Sequence, residues 1–207
     1  MKITKTSDDV WKTYIFWAFW VGVAFFTVYP ACNWLTSQRH QVYKLYFESE
    51  LCVPFVPEFV WAYLSMFLLF ILPPFFLGVS SLRLLGKQLV SATFFSGIIF
   101  LFLPAKLGFG RSAPEEPIYG SLFVNLFSVD MPYNMVPSLH VVFSALILFA
   151  LSDISRTMLG KSAIWGWLIL ICISTLLVHQ HHLLDLITGL VVACLIRGLL
   201  KIGEGHV

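Results

Sequence analysis

Charge is scarce in this chain. Only 12% of its 207 residues are Asp, Glu, Lys or Arg, about half the share usual in a soluble domain, and that excludes an ordinary water-soluble fold. The formal net charge of +2 and the lack of any basic tract or low-complexity tail give no footing for a nucleic-acid partner. No small-x-small cleavage site follows the first apolar run, so that run is expected to stay as an anchor rather than leave as a signal peptide. No internal repeat is visible, and residues 1–207 read as one membrane domain. What remains is apolar: 58% hydrophobic residues with 20 Phe, 7 Trp and 7 Tyr and a mean hydropathy of +0.85, the composition of an integral membrane protein with interfacial aromatic belts.

Six apolar segments are expected to span the bilayer as an all-α bundle: about 14–29, 59–79, 88–103, 137–151, 163–178 and 183–200. Pro73-Pro74 should kink the second. Residues 80–87 read as a short turn, 33–58 as a headgroup-level loop or short helix, and the Gly- and Pro-rich stretch 106–137 as an extramembrane loop of the length that often carries function. Arg197 in the last span is able to snorkel.

With six spans, the termini and the loops after spans two and four share one face. That face holds Lys2, Lys5, Lys12, Arg83, Lys87, Arg156, Lys161, Arg197 and Lys201, most of the basic residues, and the positive-inside rule makes it cytoplasmic. The start of span four and the end of span five then meet on the opposite, periplasmic or lumenal, face. Cys172 and Cys194 fall inside spans as packing residues. Cys32 and Cys52 share the loop after span one, on the side where disulfides form, and the sequence leaves a bridge between them open.

The polar residues on that face are the informative ones. His179 to Gly189 reads His-Gln-His-His-Leu-Leu-Asp-Leu-Ile-Thr-Gly at the mouth of an apolar segment. His181 and Asp185 are one helical turn apart, so the carboxylate can accept an imidazole N–H and leave the other ring nitrogen free. An ionisable pair at the membrane edge points to function, with a polar contact between helices as the plainer alternative. Pro137-Ser138-Leu139-His140 is a proline-led helix start whose N–H groups attract an anion such as phosphate. By itself a Pro-Ser pair there is a cap. His179 and His182 could join His140 in a zinc site, a reading disfavoured because no close cysteine pair offers a fourth ligand.

Together these residues resemble the type 2 phosphatidic acid phosphatase superfamily of lipid phosphatases and phosphotransferases. Its motifs have the form Lys-x6-Arg-Pro, Pro-Ser-x-His and Ser-Arg-x5-His-x3-Asp. The second is intact at 137–140. The third is Ser174-Thr175-x5-His181-x3-Asp185, with Thr175 in place of Arg. The first is irregular: Arg111 is followed by Ser112, and Lys106 stands five residues before it. The resemblance covers about 106–189 and implies a six-span membrane fold.

The resemblance also implies the roles. His181 would attack phosphorus and form a phosphohistidine, with Asp185 orienting it. His140 would protonate the leaving group and then activate water or an acceptor hydroxyl. Ser138, Arg111 and Lys106 would hold the phosphate oxygens. No metal or other cofactor is required, and the partner is a lipid entering from the bilayer. Since Arg grips phosphate through a bidentate fork, Thr175 should weaken binding of a doubly charged monoester. The run His182-Leu183-Leu184-Asp185 is similar to that of headgroup phosphotransferases, so transfer rivals hydrolysis. The alternative is a non-catalytic lipid-binding or scaffold protein that keeps the fold.

Overall fold

One helix is apolar on every side, and it is the one at the centre. The computed structural model describes residues 7–204, with side chains as far as Lys201; Lys2 and Lys5 lie outside the described residues. The helices are α1 (Ser7–Ser37), α2 (Val60–Leu64), α3 (Met66–Ile71), α4 (Pro73–Phe76), α5 (Val79–Phe102), α6 (Pro117–Val129), α7 (Leu139–Ile154), α8 (Met158–Leu177) and α9 (Leu183–Glu204), and no named strand occurs among the described residues. Nearly all of α7 is buried, as expected of a helix with no polar face. It packs against α3, α4, α5, α8 and α9.

Four helices are long and apolar enough to cross a membrane: Ser7–Ser37, Val79–Phe102, Met158–Leu177 and Leu183–Lys201. The segments expected as spans two and four differ. Residues 57–76 are not one rod but a 3₁₀ turn followed by three short helices, interrupted at Ser65 and at Pro73-Pro74. Pro74 has no N–H to give the Phe70 carbonyl four residues back; Tyr14 Oη donates to that carbonyl at 2.7 Å. At the other interruption Ser65 Oγ donates to Ala62 O at 2.6 Å and accepts from Trp167 Nε1 at 2.9 Å, which ties the break to α8. At 16 residues, α7 is roughly 24 Å long at 1.5 Å per residue, short of a hydrocarbon core about 30 Å thick.

Three expected boundaries move. The turn expected at 80–87 is helical: Arg83 and Lys87 interrupt the apolar run, yet α5 already begins at Val79. Polar residues end a hydrophobic pattern without ending a helix. The first helix continues to Ser37 and takes in Cys32, which is buried with its Sγ 3.6 Å from Gly97 O; Cys52 is exposed, and both thiols are free. The 106–137 loop contains the apolar helix α6, opened by Pro117 at its first position.

Close packing of α1 on α5 depends on two glycines. A Cβ at Gly86 would lie 2.3 Å from the Trp17 ring, and one at Gly97 would lie 2.4 Å from Val28 Cγ1; small residues let apolar helices approach where the hydrophobic effect gives no drive. Outward, α1 shows Phe16, Phe19, Trp20 and Phe26 to the surroundings, a surface suited to lipid. The polar ends are unequal. His140, His181 and Asp185 gather at one end, whereas Asp153 meets Arg197 and Lys201 at the other.

Candidate active site

The end of α8 sets the position of His181. His179 N donates to Leu176 O at 3.0 Å and Gln180 N to Thr175 O at 2.9 Å, a Schellman closure with His179 at its left-handed position (φ 54°). Glycine usually stands there, because a side chain costs about 1–2 kcal/mol. Here the imidazole is fixed by its Nε2 at 2.9 Å from Val53 O and by stacking on Phe109 at 4.0 Å. The chain then reverses, and His181 N also reaches Thr175 O at 3.1 Å.

His181 and Asp185 meet, though not along one helix: α9 begins at Leu183, and Asp185 in its first turn reaches back to His181, whose Nδ1 lies 3.2 Å from Oδ2, with both residues buried. The same Oδ2 accepts the His182 backbone N–H at 2.8 Å. The geometry assigns the His181 proton to Nδ1 and leaves Nε2 with a free lone pair. Asp185 Oδ1 has no hydrogen-bond partner.

The N-terminus of α7 is joined directly to this pair. Ser138 N donates to Asp185 O at 3.1 Å, and Ser138 Oγ caps α7 by accepting from Val141 N at 3.3 Å. Pro137 therefore precedes the cap rather than occupying the first helical turn. Gly189 lets α9 come this close, since a Cβ there would meet Ser138 O at 3.0 Å. His140 stacks on Tyr63 at 4.0 Å, with Nε2 2.8 Å from Tyr63 O. That carbonyl takes the Nε2 proton, so Nδ1 is its open nitrogen. The Ser138–Asp185 bond joins the segment that carries His140 to the one that carries His181.

Arg111 reaches the same end from the loop after α5. One guanidinium nitrogen donates to Asp130 O, and the group lies 5.2 Å over Phe127. Its Nε and Nη2 are buried without a hydrogen-bond partner. Burial pulls its pKa below the ordinary arginine value, opposed by Asp130 and then Tyr29 and Tyr63, and the group stays charged. Two open, desolvated donors on one fork are what a phosphate requires. Asp130 is itself fixed, because Tyr29 Oη donates to its Oδ1 at 2.6 Å.

Lys106 is placed elsewhere. It borders a surface cavity with Arg39, His40, Gln41 and Tyr43, and none of His140, His181 and Asp185 borders that cavity. Thr175 is fully buried, its hydroxyl donating back to Cys172 O at 2.8 Å, so position 175 contributes no phosphate ligand. His179 and His182 lie against Phe109, and among the described residues no three His, Cys, Asp or Glu side chains converge as metal ligands.

Sequence reasoning missed Glu50. It is buried, accepts Phe47 N at 2.9 Å and Leu183 N at 2.8 Å, and lies 3.4 Å from His182 Nδ1. It thereby caps the first turn of α9. His182 Nε2 accepts Gly108 N at 3.0 Å, and its ring is held between Tyr46 and Phe109. Burial lowers its pKa, against the pull of Asp185 and Glu50. No sequence signal marks Glu50, which stands 133 residues from Leu183.

A family model described as the PAP2 superfamily matches residues 85–202. The chain belongs to the PAP2 superfamily. The match takes in α7, α8, all but the last two residues of α9 and every site residue expected from the sequence, while Glu50, Tyr63 and Tyr29 lie upstream of it. No curated protein and no solved structure matches the chain. Membership of the PAP2 superfamily brings phosphatase or phosphotransferase chemistry as the functional class.

Proposed function

We propose that this PAP2 protein cleaves a phosphoric ester on a membrane lipid and passes the phosphoryl group through His181 to water or an acceptor hydroxyl. The observation that carries this reading is the joint between α7 and α9: Ser138 N on Asp185 O, with Asp185 Oδ2 on His181 Nδ1. It fixes a nucleophilic Nε2 and a second imidazole on one rigid frame.

His181 Nε2 attacks phosphorus, forming the N–P bond as the P–O bond to the lipid breaks, while Asp185 stabilises the resulting cationic ring. His140 Nδ1 takes the proton that a bound phosphate monoanion carries and gives it to the leaving alkoxide. It then takes one from the incoming water or hydroxyl, which displaces the phosphoryl group from His181. Arg111 offers Nε and Nη2 to the equatorial oxygens, where charge spreads in the transition state, and the Ser138 hydroxyl keeps its proton free to donate there. Lys106 would act at longer range through its charge.

The six passes expected from the sequence fit this frame if 57–76 and α7 also cross. Seven of the eleven described basic residues, Lys12, Arg83, Lys87, Arg156, Lys161, Arg197 and Lys201, then lie at the end away from His181, and the positive-inside rule supports a site on the non-cytoplasmic side.

Purified protein in detergent should release phosphate from phosphatidic acid with a chelator present. Label from the lipid phosphate should be trapped on the protein as an acid-labile, base-stable adduct. His181→Ala should remove both; a loss below about tenfold, or about 1.4 kcal/mol, would refute the nucleophile. Lipid binding with no adduct and no turnover would point instead to the non-catalytic reading.

A further inference from the structure

The segments that follow α1 and α5 are tied side by side at the His181 end. Tyr43 N donates to Pro104 O at 2.7 Å and Lys106 N to Tyr43 O at 3.1 Å, a short parallel bridge. Residues of both segments border a surface cavity of about 630 Å³, among them Arg39, His40, Gln41, Tyr43, Phe102 and Lys106. That volume lies within the range of about 300–1,000 Å³ usual for small-ligand sites.

Its charge is of one sign. Arg39 and Lys106 border it, and no Asp or Glu does so among the described residues. Seven of the eleven described basic residues lie at the opposite end, so two cations on one cavity here run against the distribution that the positive-inside rule describes. Arg111, also at this end, is engaged at the candidate active site, and Lys44 does not border the cavity. Among the described residues no carboxylate pairs with Arg39 or Lys106. A guanidinium fork and an ammonium in that state are open to a phosphate.

The cavity also lies at headgroup level. Phe102 closes α5, a helix long and apolar enough to cross a membrane, and is 77% exposed. Trp34 and Tyr43 are exposed at the end of α1 and just beyond it, as aromatic residues are where hydrocarbon meets water. A ligand here has hydrocarbon at one edge and cations within reach. The bridged segment runs on toward the candidate active site, since Gly108, two residues past Lys106, donates its N–H to His182 Nε2 at 3.0 Å.

We propose that this cavity is a second phosphate site, which holds the headgroup of an anionic phospholipid at the membrane surface, apart from the ester at His181. The lipid is bound there and not cleaved, because His40 has no carboxylate on the cavity to orient it as a nucleophile. Each Lys or Arg beside a membrane surface strengthens the hold on anionic lipid about fivefold. The proposal does not depend on the reaction at His181 and would survive its failure.

The test uses the full-length His181→Ala protein, so that no probe is turned over. The immobilised protein is equilibrated with mixed micelles holding equal amounts of dioleoyl phosphatidylglycerol and dioleoyl phosphatidylcholine, and the retained lipids are quantified. Phosphatidylglycerol should be retained in preference. Adding Arg39→Glu, at an exposed residue, should lower that preference at least about fivefold. Arg39→Gln should act in the same direction and serves if the charge reversal disturbs the fold. Lys44→Glu makes the same change in net charge outside the cavity and should leave the preference unaltered.

A preference that persists in both Arg39 variants overturns the proposal, because the lipid then binds elsewhere. An equal loss in Lys44→Glu overturns it too, since only the general field of this end would then attract the lipid. Excess inorganic phosphate, matched in ionic strength with chloride, should not displace the lipid. Displacement would make the cavity a site for soluble phosphate and would overturn the lipid assignment.

Discussion

The two ends of the bundle treat charge in opposite ways. At the His181 end Asp185 and Glu50 are buried, the first accepting one backbone N–H and the second two. At the other end Asp153 is half exposed and meets Arg197 at 2.7 Å and Lys201 at 3.1 Å. A buried carboxylate is tolerated only where fixed donors replace water, and such donors also fix its orientation. An exposed pair keeps its water and gains little from its partner. One end is therefore built for geometry, the other for charge alone.

The strongest break of that contrast strips donors and proton carriers from the catalytic end. Steady-state phosphate release should fall about 10²–10⁴-fold in His140→Ala, the usual worth of a positioned acid–base group. Arg111→Lys keeps the charge and loses the fork, and a fall of about 10²–10³-fold is expected. Full activity in Arg111→Lys would mean that Nε and Nη2 face something other than the phosphate.

Glu50 sharpens the comparison one step further from phosphorus. Glu50→Gln leaves one carbonyl oxygen for the two N–H groups of Phe47 and Leu183 and turns an amide donor toward one of them. Charge-assisted bonds of this kind contribute about 1.5–3 kcal/mol, so a lower Tm and a kcat reduced by roughly tenfold are expected. A normal kcat at a lower Tm would show that Glu50 holds the fold without aligning His181.

These residues also show where the sequence was legible. His181 and Asp185 are readable because their contact is local, made across the turn that opens α9, and Ser138 with His140 because a cap and a first turn are local. Four apolar helices followed from composition and run length. Glu50, Tyr63 and Tyr29 act through partners 77 to 133 residues away, and no local pattern encodes such a contact. The break at Ser65 was equally silent, because it depends on a bond to Trp167. Lys106 was less legible, since closeness in sequence to Arg111 does not decide which cavity a loop residue borders.

Acid should weaken the catalytic end first. Burial holds His182 and His179 below the usual imidazole value of 6.5, so below that pH the unfolded chain takes up protons that the folded chain refuses. The associated stability is present above about pH 6.5 and is lost as pH falls toward the folded values. Protonating His182 Nε2 would also remove the acceptor of Gly108 N. The Tm of the detergent-solubilised protein should therefore decline from pH 7 to pH 5, and His182→Gln should flatten that decline. An unaltered slope in His182→Gln would assign the acid sensitivity elsewhere.

The smallest effect belongs to the other end. Arg197 lies over the Phe149 ring at 5.1 Å, so its packing survives removal of the carboxylate. Asp153→Asn leaves both cations partly solvated, and exposed pairs of this kind contribute about 0–1 kcal/mol. Salt should narrow even that difference, because a Debye length of about 8 Å near physiological ionic strength screens exposed charge. The expected result is a Tm near that of the parent, converging with added salt, and an unchanged kcat. A kcat that falls with Asp153→Asn would show that α7 and α9 transmit strain along their length, and the two ends could then no longer be treated as independent.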